Sequence, residues 1–157
     1  MEEEEMSFEA KAKELGIEIP VPGKPTAAYE PGVLIDNMIY ISGQLPMLNK
    51  ELQYKGVVGK DVTQEEAYQG ARICVINALG VIKSLVGSLD RIEKIVKVEG
   101  FVNSLQDVTY QPACINGASD LLGEIFGDVG KHARFAIGTS GLPLGSSVEV
   151  GMIVKVK

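Results

Sequence analysis

Val148-Glu149-Val150-Gly151-Met152-Ile153-Val154-Lys155-Val156 decides the fold. Val148, Val150, Met152, Val154 and Val156 form one apolar row; Glu149, Gly151, Ile153 and Lys155 form the other. A period of two is the mark of a β-strand with one face in the core, here over residues 147–156. Four valines and a methionine on one face need a layer against them. The sequence offers two helices for it. Thr63 opens the first, with Glu66 three residues on as a capping box. Ala67, Ala71, Cys74, Val75, Ala78, Leu79, Ile82 and Leu85 follow at helical spacing, and Gly87 stops it. The second runs from about Pro112 to Phe126, with Ile115, Ala118, Leu122 and Ile125 as its stripe.

The other strands follow outward from these. Val33-Leu34-Ile35 and Met38-Ile39-Tyr40-Ile41 flank Asp36-Asn37, a hairpin signal. A weaker strand is expected within residues 51–58. Ile95–Val102 reads as a strand with Val96, Val98 and Val102 on one face and Lys97, Glu99 and Phe101 on the other. Another covers about 133–139. Phe8–Leu15 suits a short helix ending at Gly16, and IPVPGKP after it is irregular. The order is β-β-β-α-β-α-β-β, an α+β plan with two helices on one sheet face.

Composition bounds the function. The chain has 157 residues, 45% of them apolar and 23% charged, which suits one globular domain and excludes disorder and coiled coil. The net charge is −6, and Glu2–Glu5 carry much of it. That run reads as a solvated terminus, not a signal peptide. The rest is nearly neutral with no basic cluster, which argues against nucleic-acid binding. No apolar run approaches a membrane span. A cytoplasmic protein is the expectation. Cys74 and Cys114 read as small buried apolar residues, and a single histidine leaves little material for a metal site or a catalytic triad.

Strand parity then isolates two charges. With Phe135 and Ile137 turned towards the helices, Arg134, Ala136 and Gly138 fall on the opposite face, beside Glu149. Two helices cover one face only, and Phe101 and Ile153 make the other too apolar for water alone, so an oligomer is expected to bury it. An arginine there wants an anion: Glu149 as an ordinary ion pair, or a ligand carboxylate. Ser42-Gly43-Gln44 ends a strand before Pro46 and reads as a turn or as a set of donors for a ligand. Tyr29 reads as a loop tyrosine or a site residue. His132 reads as a strand-entry surface residue or a proton carrier.

Tyr29, then Ser42-Gly43-Gln44-Leu45-Pro46, then Ala133-Arg134-Phe135-Ala136, Leu142-Pro143 and Val148-Glu149-Val150 together resemble the Rid family of reactive intermediate deaminases (the YjgF superfamily, older name liver perchloric-acid-soluble ribonuclease). The resemblance covers residues 26–157 as a single domain, leaving residues 1–25 as an N-terminal extension. It implies a chorismate-mutase-like α+β subunit with one mixed sheet. The last strand is inserted away from its predecessor, so that 140–146 cross over. It also implies a homotrimer with ligand clefts between subunits; the sequence itself gives no sign of a metal or organic cofactor. Arg134 would bind the carboxylate of a 2-imino or enamine acid. Glu149 would handle the hydrolytic water, Tyr29 would come from a neighbouring subunit, and Ser42 would line the cleft. Backbone near Gly43 and Ala136 would orient the substrate. Two positions depart from the deaminase pattern: Pro112 where those proteins have asparagine, and Ala136 where many have cysteine. Two alternatives accompany this reading: a non-catalytic trimer binding a small carboxylic metabolite, and the endoribonuclease or translation-inhibitor activity with which some relatives are labelled.

Overall fold

The computed structural model describes residues 5–25 and 27–157. Glu2–Glu4 and Thr26 lie outside them, and so does most of the Glu run read as a solvated terminus. The main sheet has five strands: β1 (Gly32–Ile35), β2 (Met38–Gln44), β5 (Ile92–Asn103), β6 (Ala133–Thr139) and β7 (Val148–Val156). Their spatial order is β1-β2-β7-β5-β6. β7 is antiparallel to both β2 and β5, while β6 closes the edge parallel to β5. A parallel neighbour needs a long crossover, and α3 (Gln111–Phe126) supplies it. β6 and β7 are consecutive but not adjacent, so residues 140–146 cross over as expected. Asp36 turns the β1–β2 hairpin at a φ of 53°.

α2 (Gln64–Val86) and α3 cover one face of the sheet. The capping box forms: the Glu66 amide donates to Thr63 Oγ1 and the Thr63 amide to Glu66 Oε1, both at 3.1 Å. Gly87 ends α2 in the left-handed region. We expect Thr63→Ala to cost about 1 kcal/mol, read as a lower urea midpoint at unchanged slope. All five residues of the apolar β7 row are buried, against Ile39, Leu79, Ile82, Ile95, Ile115 and Leu122 among others. By length and composition alone α2 could cross a membrane, but half of its most apolar stretch is buried inside the fold. α1 (Phe8–Glu14) docks on this core. The Phe8 ring meets Phe126 edge-on at 4.8 Å, and Glu9 accepts from the Leu89 amide at 2.9 Å and Lys83 Nζ at 3.1 Å.

Three expectations need correction. The third strand does not join the sheet: β3 (Met47–Leu48) and β4 (Glu51–Leu52) form a separate two-stranded ribbon, too short to present an alternating face. In β5 the pairing with β7 shifts register between Ile95 and Lys97, so Ile95, not Val96, faces the core with Val98.

The third concerns β6. The row facing the helices is Arg134, Ala136 and Gly138, and the row facing away is Phe135 and Ile137. Arg134 pairs with the buried Val98, and Phe135 pairs with Glu99 and meets the Phe101 ring at 5.5 Å. The reason is the close approach of α3. The Ile115 side chain already fills the space a Cβ on Gly100 would need, and Ala136 is the register partner of Gly100. Only a row of small residues fits beneath the helix there, so the bulky row turns outward. Arg134 and Glu149 therefore lie on opposite faces of one sheet, not on the same face.

Candidate functional site

Arg134 starts β6 and reaches under α3. Its Nη1 donates to Ser119 Oγ at 3.0 Å and its Nη2 to the Pro112 carbonyl at 3.5 Å. Ser119 also meets His132 Nε2 at 2.9 Å, and His132 Nδ1 meets the Gly130 carbonyl at 2.6 Å. A carbonyl oxygen only accepts, so Nδ1 carries a proton, and in the neutral ring Nε2 accepts from the Ser119 hydroxyl. The donors run one way, from Arg134 to Ser119 to His132 to Gly130. These groups line an open depression of about 360 Å³ that Asn116 and Lys131 also border. Lys131 is paired with Asp128 at 2.9 Å. Among the described residues no carboxylate pairs with Arg134. A half-buried guanidinium held by neutral oxygens keeps its charge available for an anion.

The second group of residues lies on the far face. β2 pairs with β7 at Ile41–Met152 and again at Gln44–Val150, and the irregularity between them holds Ser42 and Gly43. Glu149 projects into it. Its carboxylate occupies the space where a Cβ on Gly43 would stand, so Gly43 is the residue that lets an acid settle against the strand. Burial pushes the Glu149 carboxyl above its ordinary 4.5. No ion-pair partner compensates it among the described residues. Burial, and secondarily Glu149, also push the Cys74 thiol well up, which keeps that cysteine an inert core residue.

The raised value has a consequence for stability. Between the ordinary and the raised value the folded chain binds more protons than the unfolded one. Stability therefore falls as pH rises through that window. We expect Glu149→Gln to raise Tm at pH 7, with the difference from wild type closing as pH falls below 4.5. Thermal melts at several pH values check this.

Ser42, Gly43 and Glu149 thus come together as expected, whereas Arg134 and Ala136 are separated from them by the sheet. The Ser42 hydroxyl donates to the Glu30 carbonyl at 2.6 Å and its amide to the Pro31 carbonyl at 2.9 Å, so neither hydrogen is free for a ligand as the sequence suggested. Tyr29 stands in the segment before β1, 56% exposed. Ser119 and Asn116 were not anticipated as site residues. The signal for Ser119 is faint: it is one of several polar residues set between the apolar positions of α3. Among the described residues no three of His, Cys, Asp and Glu are grouped to hold a metal ion.

The profile of the family described as "YjgF/chorismate mutase-like, putative endoribonuclease" matches residues 9–156. The chain belongs to the YjgF family. Protein TCP17 of Trypanosoma cruzi is 37% identical over 147 residues, spanning 93% of this chain and 92% of that protein. A solved structure of an Agrobacterium tumefaciens protein described as of unknown function is 39% identical. It covers 96% of this chain and 92% of its own, with a TM-score of 0.88. A Shewanella oneidensis structure described as a "putative endoribonuclease" is 34% identical, covering 96% of this chain and all of its own at a TM-score of 0.92. The chorismate-mutase-like plan expected from sequence is the YjgF fold seen here.

Proposed function

We propose that the chain is a hydrolase of small, reactive 2-imino and enamine acids, yielding 2-keto acids and ammonia. The observation that carries this reading is Arg134: a guanidinium without an acid partner among the described residues, lining a depression of about 360 Å³. Its fork matches a carboxylate. An imine carbon is already electrophilic, so holding the substrate and a water in line supplies most of the catalysis. An enamine first tautomerises to the imine. Water then adds to the carbon and one of its protons passes to nitrogen, giving a carbinolamine. The hydroxyl proton follows to nitrogen as the C–N bond breaks, the carbonyl forms and ammonia leaves. Glu149, its carboxyl raised by burial, is a stronger base than an exposed carboxylate and would take a proton from that water.

Arg134 and Glu149 lie on opposite faces within one chain, so a shared ligand requires two copies. In this reading the β6 edge of one copy, with Arg134 and the Ala136 backbone, faces the Ser42-Gly43-Glu149 group of the next, and Tyr29 closes the cleft from the neighbouring subunit. The outer sheet face supports such an assembly. Val33, Ile35, Tyr40, Phe101, Phe135, Ile137 and Ile153 line it, with Ile35 57% and Ile137 47% exposed. A closed ring of three would bury it. Two free, buried cysteines suit a reducing, cytoplasmic setting.

The test is to generate imine in place with an amino-acid oxidase or dehydratase and follow keto-acid release. Faster decay than in buffer is expected, and decay at the buffer rate would count against hydrolysis. Pro112 favours a second reading, a binding module for a small carboxylate. It offers Arg134 only a carbonyl where deaminases of the resembled family have an asparagine side chain. Thermal stabilisation by 2-keto acids without turnover would select that reading. RNA cleavage, the activity named in the titles of relatives, has little support in a chain of net charge −6.

A further inference from the structure

The Arg134 depression holds a hydrogen-bonded chain that the proposed hydrolysis does not require. Ser119 comes from α3, while His132 and Arg134 flank the start of β6, so the chain ties helix to strand at the anion site. The Gly130 carbonyl fixes the imidazole ring. We infer that Ser119 and His132 are positioning residues for the Arg134 fork, and that the site takes up a proton on His132 when it takes up a small carboxylate. This rests on the reading of Arg134 as the carboxylate anchor.

The argument follows from donor counting. In the neutral ring the Ser119 hydrogen is committed to Nε2. A proton on Nε2 makes that nitrogen a donor, and Ser119 Oγ must then accept from both His132 and Arg134. Its own hydrogen is released and turns to the depression, where a carboxylate oxygen accepts it. The imidazolium also adds a second positive charge beside the guanidinium. An anion seated between imidazolium and guanidinium is attracted by both. Binding and protonation therefore promote each other, and by linkage each must raise the other's affinity.

The other charges around the ring do not supply the missing anion. Lys131 adjoins it and is held by Asp128 at 2.9 Å, and Lys94 of β5 bonds the Asp128 carbonyl at 3.0 Å. Among the described residues no carboxylate pairs with His132.

His132 is the chain's only histidine, so its imidazole protons give one unambiguous magnetic-resonance signal. The experiment compares the wild-type protein with His132→Gln, which keeps Glu149 and any pH dependence it brings. 2-Oxobutanoate binding is measured by calorimetry at pH 5.5 and 7.5, either side of the range in which imidazoles titrate. We expect about tenfold tighter binding at the lower pH, the usual size of such couplings. Saturating 2-oxobutanoate should also move the midpoint of the His132 signal upward. His132→Gln should lose most of that difference between the two pH values. Equal affinity at both pH values, with an unmoved His132 titration, would overturn the inference while leaving Arg134 as the anchor. No binding at either pH would instead remove the anchor and the inference together.

Discussion

Arg134→Ala is expected to lose 2-keto acid binding and to lower kcat/KM for imine hydrolysis by about 30- to 1,000-fold, the loss that follows removal of one partner of a desolvated, charge-assisted pair. The fold should survive, because the side chain is only half-buried on an edge strand and its contacts are to Ser119 and a backbone carbonyl. Arg134→Lys is expected to recover little. An ammonium keeps the charge but cannot offer two parallel donors to a carboxylate while a third holds Ser119. Keto-acid release in the coupled assay, with a urea melt of each variant, separates loss of the anchor from loss of the fold. An Arg134→Ala protein with wild-type kcat/KM would end the proposed role.

The second large effect is on stability and lies at Gly117. α2 and α3 approach so closely there that a Cβ on Gly117 would overlap the Tyr68 carbonyl oxygen. Backbone cannot move aside as a flexible side chain can, so Gly117→Ala must separate the two helices above the sheet. We expect a cost of about 3 kcal/mol, the upper part of the range for overpacked cores, and a Tm lower by about 6–12 °C for a chain of this size. Gly123 gives the control. It lies in the same helix with nothing within 4 Å of a built Cβ. Gly123→Ala should therefore gain roughly 0.5–1 kcal/mol from helix propensity alone. Urea unfolding of both variants checks the contrast, and equal effects would contradict the packing described here.

Much of this architecture is legible from local signals. β7 alternates because one of its faces is core. The Thr63–Glu66 box is complete within four residues. Asp36-Asn37 marks its hairpin because few residue types accept a positive φ. What escaped was relational. Both rows of β6 carry apolar residues, so period alone does not say which row meets α3; the answer depends on Gly100, on a neighbouring strand, and on how near the helix lies. The expectation that Arg134 shares a face with Glu149 fails on that one ambiguity, since a strand turned over moves every side chain to the other face. Ser119 was hidden for a similar reason. It becomes a site residue only because the chain returns 13 residues later with His132 and 15 later with Arg134. Glu149 was legible as an unusual acid in an apolar strand. Its depth was not, because that depends on the missing side chain of Gly43.

The most direct measurement is a crystal structure of the protein soaked with 2-oxobutanoate. The expected result is a keto acid between two copies, its carboxylate on the Arg134 guanidinium of one and its carbonyl end towards Glu149 of the other. A structure in which Arg134 is neutralised by an acid of an adjacent copy, leaving no room for the ligand, would contradict the account.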